Sequence, residues 1–350
     1  MANELFLLSL AVSFGGLLFW GFRVLPKENW QILAAVPLKK NEENTWKGLN
    51  LTYYGFFVAL SYVLSTVILF ILLGALFLSI PLLFLITISI AFLCIPAAKI
   101  MAVLVERKPH TLTIGGASFV GIILSPWVVY FIAREMESRF GFELPVLPIL
   151  AALSIAYSYG EGLGRLACIS FGCCYGKPLS RCHPVWRFLF QKHHFIFSGK
   201  TKKIAYADGL DQEPVIPIQA ITSVIYVGSA LLGTHFYLSG KFGLGFLITL
   251  LISQVWRSAS EFLRADYRGE KRISIYQWMS LFSAGYGLFI FFCFREPQGP
   301  LPDILSGLAV LGSPVVFIFL QLFGLILFSF TGRSKVTGST ISIQVLKERI

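Results

Sequence analysis

The sequence predicts an all-α polytopic membrane protein of about nine transmembrane helices, and three observations carry that prediction. Only 13% of its 350 residues are charged, where soluble domains carry roughly a quarter. Hydrophobic residues make up 56%, and the mean hydropathy is +0.74. Apolar runs of about 20 residues, the length a helix needs to cross about 30 Å of hydrocarbon, recur between short polar breaks. The short alternating segments of a membrane β-barrel do not occur.

The apolar runs place helices at about 5–24, 53–77, 79–104, 114–134, 145–168, 215–238, 242–265, 273–294 and 303–330. Met1-Ala2-Asn3-Glu4 has no positive n-region and no small-residue cleavage site follows, so the first run reads as a retained helix. Between Pro26 and Thr52, Trp30, Gln31, Ile32, Trp46, Leu49 and Leu51 flank a polar tip at Lys39-Lys40-Asn41-Glu42-Glu43-Asn44. That pattern predicts a hairpin on the membrane surface with its tryptophans at headgroup depth. The segment 169–214 is the one sizeable internal piece outside the runs. Its charges alternate with Phe188, Leu189, Phe190, Phe195, Ile196 and Phe197, as expected of an interfacial head. Gly312-Ser313-Pro314 interrupts the last run, predicting a kink, a tilt or a re-entrant piece. The polar tail from Thr331 is expected to be mobile. Three regions follow: 1–50, an extra helix and the hairpin; 51–294, a seven-helix core that includes the head; and 295–350, an extra helix and the tail.

The net charge of +11 sits in loops beside apolar spans. Anionic lipid headgroups fit that placement, and nucleic acid does not. Six cysteines in apolar surroundings exclude a secreted disulfide scaffold, and Cys94 and Cys293 read as packing residues.

Three cations lie where hydrocarbon should be. Arg165 closes an apolar run within Gly160-Glu161-Gly162-Leu163-Gly164-Arg165, Arg257 lies near the end of the seventh helix, and Lys99 lies deep in the third. A charge at the bilayer centre costs about 3 kcal/mol or more and marks a functional site by default. Each cation has a plainer reading, a side chain snorkelling to the interface. For the cluster at the end of the seventh helix that reading has Glu261 satisfying one arginine, because Arg257, Glu261 and Arg264 fall at i, i+4 and i+7 on one helical face. Glu161 and Glu261 are too few carboxylates for all these cations. The surplus positive charge points to a bound anion, and the guanidinium fork matches phosphate oxygens. In a membrane the abundant anion is a phospholipid headgroup.

Gly164-Arg165, followed by Gly172 and Gly176-Lys177-Pro178, resembles the signature of the bacterial prolipoprotein diacylglyceryl transferases, multi-pass enzymes of the inner membrane. Tyr53-Tyr54-Gly55, Lys99-Ile100, Gly115-Gly116-Ala117-Ser118-Phe119, Pro217-x-Gln219, Arg257-x3-Glu261-Phe262-x-Arg264-x-Asp266 and Ile273-Ser274-x2-Gln277-x2-Ser280 resemble further family motifs in the family's order. The resemblance implies a diacylglyceryl transfer from phosphatidylglycerol, or another anionic phospholipid, to the lipobox cysteine of a prolipoprotein signal peptide, with no cofactor. It implies catalytic roles for Arg165, Arg257 and Tyr54. Lys99, Gly164, Gly172, Gly176, Gln219, Glu261, Arg264, Gln277 and Ser118 would bind substrate.

Departures from the family accompany the matches. Val120 stands where the family has a catalytic histidine, Cys168 where it has an asparagine, and Thr222 where it has a glutamate. Valine accepts no proton, so the resemblance leaves the base open between His110 and His183. A related transferase with another acceptor, or a phospholipid-binding or transport protein without catalysis, are the rival readings. Cys168-x4-Cys173-Cys174-x7-Cys182-His183 admits a metal site, a disulfide or thiols packed beside glycines. Its irregular spacing does not match paired zinc motifs, so no metal is expected.

The family places the segment after the signature arginine outside the cytoplasm. Here most of the 29 Lys and Arg fall in loops on that side, against Arg134, Arg139, Lys241 and Arg295 on the other. The positive-inside rule therefore puts the head in the cytoplasm, and the two expectations oppose each other.

Overall fold

The computed structural model describes residues 1–41, 45–106, 114–265, 273–297 and 299–350. Helix α1 (Ala2–Val24) leads into a hairpin of β1 (Ile32–Lys40) and β2 (Trp46–Thr52). Helices α2 (Tyr53–Gly74), α3 (Ile80–Glu106), α4 (Ile114–Phe140) and α5 (Val146–Phe171) follow. The head contains α6 (Pro184–Phe190), β3 (Phe195–Ile196), α7 (Lys203–Asp208) and β4 (Pro214–Val215). Then come α8 (Ile218–Leu238), α9 (Phe242–Ser260), α10 (Ile275–Cys293), α11 (Ile304–Val310), α12 (Pro314–Thr331) and β5 (Arg333–Ile341). Among the described residues nine helices, α1 to α5, α8 to α10 and α12, are long and apolar enough to cross a membrane.

Helix α5 is the axis of the bundle, packed against α2, α8 and α9. Lipid tails are as apolar as leucine, so close backbone approach and hydrogen bonds hold helices together here. Small residues supply the first. A Cβ on Gly162 would lie 2.9 Å from Val227 Cγ2, and one on Gly160 would lie 2.9 Å from Ser65 Cβ. Cross-helix hydrogen bonds supply the second. Ser223 Oγ donates to Gly162 O (2.8 Å), Ser65 Oγ to Ala156 O (2.7 Å) and Tyr226 Oη to Ser253 O (2.9 Å). The outer helices α1 and α12 bury little of their surface, as helices facing lipid do.

The first half of the tail, Arg333–Ile341, forms a strand. Its strand β5 adds to the hairpin in the antiparallel order β1-β2-β5, with Trp46 opposite Ile341 and Leu49 opposite Gly338. Buried Asn50 donates to Thr337 Oγ1 (3.1 Å) and accepts from Ser339 Oγ. The hairpin after α1 and the tail after α12 are thus joined on the head side of the bundle. The last run breaks at Gly312-Ser313-Pro314, where the sequence places its interruption. Asp303 caps a separate short helix by accepting from Leu305 N and Ser306 N, both at 3.2 Å. Pro314 then opens α12 at its first helical position, where its missing N–H leaves nothing unsatisfied.

Candidate active site

The site forms where α5, α4 and α9 meet the head. Glu161 and Arg165 are one turn apart on α5, so their side chains share a face. The Arg165 guanidinium donates to the buried Glu161 carboxylate. Arg257 of α9 approaches the same Oε1 atom at 3.8 Å and donates through Nη1 to Tyr157 Oη (2.9 Å) and Ser118 Oγ (3.1 Å). The side chains of both arginines are about nine-tenths removed from solvent or nearly so, at 14% and 15% exposed, and Glu161 is at 4%. One carboxylate between two guanidinium groups leaves one positive charge unbalanced. Arg165 Nε is buried with no partner in the structure, although a buried donor of a charged group normally has one.

Glycines let these parts approach. A Cβ on Gly115 would lie 3.2 Å from Arg257 Nη2 and 2.9 Å from the Tyr276 ring. Gly172, at φ +69°, ends α5 in the left-handed region, where glycine adopts the conformation freely. A Cβ on Gly176 would collide with Ile216 O at 2.4 Å. Gly176 bridges to Arg264, with Lys177 N donating to Leu263 O (2.9 Å) and Ala265 N to Tyr175 O (3.1 Å). That backbone strap ties the loop after α5 to the loop after α9, bringing the two arginine motifs to one place. Gly164 meets nothing closer than Ser61 Oγ at 3.5 Å, an ordinary contact.

The expected face of Arg257, Glu261 and Arg264 does not form. Helix α9 ends at Ser260 and tightens to a 3₁₀ turn over Glu261–Leu263, which changes the rotation per residue. Glu261 then pairs with Arg264 at 3.7 Å, while Arg257 turns to Glu161. Gln277 caps α10: its Oε1 accepts from Ser274 N (2.8 Å) and its Nε2 donates to Ser258 O (3.1 Å). Lys99 lies on an exposed face of α3 and meets neither arginine. Tyr54 packs its ring against Phe171, centroids 5.5 Å apart. Gln219 is buried, with Nε2 donating to Cys173 O (2.9 Å) and Oε1 without a partner.

Val120 is half-buried on α4, two residues beyond Ser118. His183 is exposed at the start of α6 in the head. His110 and Asp266 lie outside the described residues. Among the described residues no histidine contacts Glu161 or either arginine.

Three thiols gather just beyond Arg165. The Sγ atoms of Cys168, Cys173 and Cys174 all lie within 4.8 Å of one another, none of them disulfide-bonded. Cys182 stands apart in the head, where Sγ donates to Pro178 O at 3.2 Å and burial pushes its thiol up from the usual value. Tyr157, which holds Arg257 Nη1 at 2.9 Å, is a candidate site residue that the sequence motifs do not include. Tyr157, Glu161 and Arg165 recur every fourth residue on α5, and that spacing was a usable signal.

With this geometry in hand, comparison with known proteins is direct. The family described as prolipoprotein diacylglyceryl transferase matches residues 44–293. A phosphatidylglycerol–prolipoprotein diacylglyceryl transferase of Clostridium tetani is 29% identical over 148 residues, which are 42% of this chain and 53% of that protein. The chain thus spans about half the length of the curated relative it matches.

Proposed function

We propose a reaction from a settled premise, that this chain belongs to the prolipoprotein diacylglyceryl transferase family. The reaction is transfer of the diacylglyceryl group of an anionic phospholipid, phosphatidylglycerol, to a cysteine thiol of a prolipoprotein, with release of glycerol phosphate, in the inner membrane of a bacterium. One observation carries the reading: Glu161 is shared by Arg165 and Arg257, so the pair keeps a positive charge, and Arg165 Nε still lacks an acceptor.

The chemistry asks for two things that these residues supply. The acceptor sulfur must meet the glyceryl carbon in line, and the departing phosphate must be stabilised as charge grows on it. Arginine forks buried away from water act on that charge without reorganising, which is where such stabilisation is largest. Ser118 and Tyr157 hold the Arg257 guanidinium at Nη1 and leave the rest of its fork for the lipid. Gln219 Oε1, buried and without a partner, is an acceptor for a hydroxyl of the headgroup.

A second reading has a specific observation behind it. The crowd of Lys and Arg on the head side favours a cytoplasmic head, and with it an acceptor other than a translocated lipobox peptide. One experiment separates the readings. Purified protein is mixed with phosphatidylglycerol and a lipobox peptide, and mass spectrometry seeks the diacylglyceryl adduct and free glycerol phosphate, with Arg257→Ala as control. An adduct that depends on Arg257 supports the transferase. Glycerol phosphate without adduct favours the other acceptor, and neither product from protein that holds the lipid overturns both.

A further inference from the structure

The transfer proposed above has no visible base. A thiol acceptor must lose its proton, the family's histidine is Val120 here, and no described histidine reaches the arginine pair. What lies beside Arg165 instead is the cluster of Cys168, Cys173 and Cys174.

Local backbone geometry builds that cluster from an irregular spacing. Cys168 is in the last turn of α5, and Gly172 at φ +69° reverses the chain so that Cys173 N donates back to Cys168 O at 3.0 Å. Cys174 then sits at φ +57°, a conformation uncommon for residues other than glycine and found at functional sites when it occurs. The result is three sulfur atoms within 4.8 Å of one another, Cys168 and Cys173 buried and Cys174 half-buried. Zinc thiolate bonds of about 2.3 Å place tetrahedral sulfurs about 3.8 Å apart, so small side-chain rotations close the cluster on one ion.

We propose that Cys168, Cys173 and Cys174 form a zinc site with an open fourth position, and that the acceptor thiol binds there before it attacks the glyceryl carbon. The inference rests on the transferase reading for its second half only. Three protein ligands with one position left open is the arrangement of catalytic rather than structural zinc. A thiol bound to such an ion is deprotonated outright, so the ion does the work of the absent histidine. The acceptor's proton passes to solvent as its sulfur takes the fourth position. That sulfur then uses a lone pair to form the S–C bond as the C–O bond to phosphate breaks, and the bond pair leaves on the phosphate oxygen. Nothing is oxidised or reduced. The thioether product is a poor zinc ligand and leaves the position open again. Three thiolates on one Zn²⁺ carry one net negative charge, and Arg165 lies within electrostatic reach of Cys168 and Cys174 to balance it.

The test uses the full chain purified under reducing, chelator-free conditions, with bound metal counted by mass spectrometry and then exchanged for Co²⁺. The expected result is one zinc per chain, reduced tenfold or more in Cys168→Ser, Cys173→Ser and Cys174→Ser and retained in Cys182→Ser. The cobalt protein should show thiolate charge-transfer absorption, and its ligand-field bands should shift with a cysteine lipobox peptide and not with the serine counterpart. No bound metal, copper in place of zinc, or zinc unaffected by the three substitutions overturns the site. Bands unmoved by the cysteine peptide, or equal turnover in zinc-free and zinc-loaded protein, overturn the role in activation and leave the transferase reading standing. Zinc bound, bands shifted and no adduct formed supports the site and overturns the transferase reading instead.

Discussion

Arg257 reaches Glu161 from a different helix, 3.8 Å from the same carboxylate oxygen that Arg165 already holds. The relation explains how two guanidinium groups coexist in an apolar bundle, since each borrows half of one charge. It also makes Glu161 the residue on which the anion site depends. Glu161→Gln should lower stability by about 3–5 kcal/mol, the usual result of stripping a buried charge of its partner. Inorganic phosphate should restore part of the lost melting temperature in the variant and change the native protein little. Thermal melts in detergent with and without phosphate check this, and equal phosphate effects in both proteins would sink it.

Removing the arginines should separate binding from turnover. Arg165→Ala leaves Glu161 paired to Arg257 and cancels the surplus charge, so retention of anionic phospholipid through purification should fall to background. Arg257→Ala should lower turnover by about 10²–10³, as loss of one preorganised charge on a leaving group does. Lipid content by mass spectrometry and initial rates measure the two effects. Lipid retained at the native level by Arg165→Ala would remove the anion site.

Gly115 offers a gentler test of the same geometry. A methyl group there would press on Arg257 Nη2 and the Tyr276 ring, so Gly115→Ala should reduce turnover about tenfold, or about 1.4 kcal/mol in the barrier. The melting temperature should fall modestly as well, because the tighter contact, 2.9 Å, is with the ring of buried Tyr276. A rate equal to the native one would show that Arg257 need not sit where it does.

Much of this was legible beforehand, and what was not has physical reasons. Among the described residues nine apolar runs become nine helices long and apolar enough to cross a membrane, since run length and composition are local properties of the sequence. Arg165 and Arg257 stood out because charge in hydrocarbon is costly. The strand β5 was missed because its pairing partner β2 lies at the far end of the chain, and nine polar and apolar residues carry no hairpin signal alone. Glu261 satisfies one arginine of its cluster, and that arginine is Arg264; the approach of Arg257 to Glu161 on another helix is a tertiary contact that helical spacing does not contain. The thiol cluster was hidden by a left-handed turn at Gly172 and Cys174 that no spacing rule contains. Lys99, read as a third buried cation, is exposed on α3.

Lys202 gives the head a pH dependence. It is fully buried, and its Nζ donates to Ser170 O (2.6 Å) and Leu25 O (3.1 Å), tying the ends of α5 and α1 together. Burial pulls its ammonium down to about 8, and a neutral amine still has the two donors these carbonyls need. In the unfolded chain the group titrates near 10.4. Between those values the unfolded state binds more protons, so stability rises with pH, and below about 8 the contribution is at its lowest. The full span is worth about 3 kcal/mol. Chemical denaturation from pH 7.5 to 10.5 should show the native protein gaining on Lys202→Met across that window, and a constant difference between them would exclude the mechanism.

The last expectation concerns which way the bundle faces. Helices α1, α5, α9 and α12 end, and α2, α4, α8 and α10 begin, on the side that carries the head and the β1-β2-β5 sheet. Sheet pairing fixes both terminal additions to that side, so neither can rebalance the loop charges. Arg134, Arg139, Lys241 and Arg295 mark the poorer side, and the rule that counts Lys and Arg in short loops then puts the head in the cytoplasm. A fluorescent protein fused after Ile350 should therefore fluoresce, and a phosphatase that needs the periplasm should be inactive at the same position. The reverse pattern would return the head to the outer face and make a translocated lipobox peptide its natural acceptor. The expected pattern instead favours the second reading, an acceptor other than a translocated lipobox peptide.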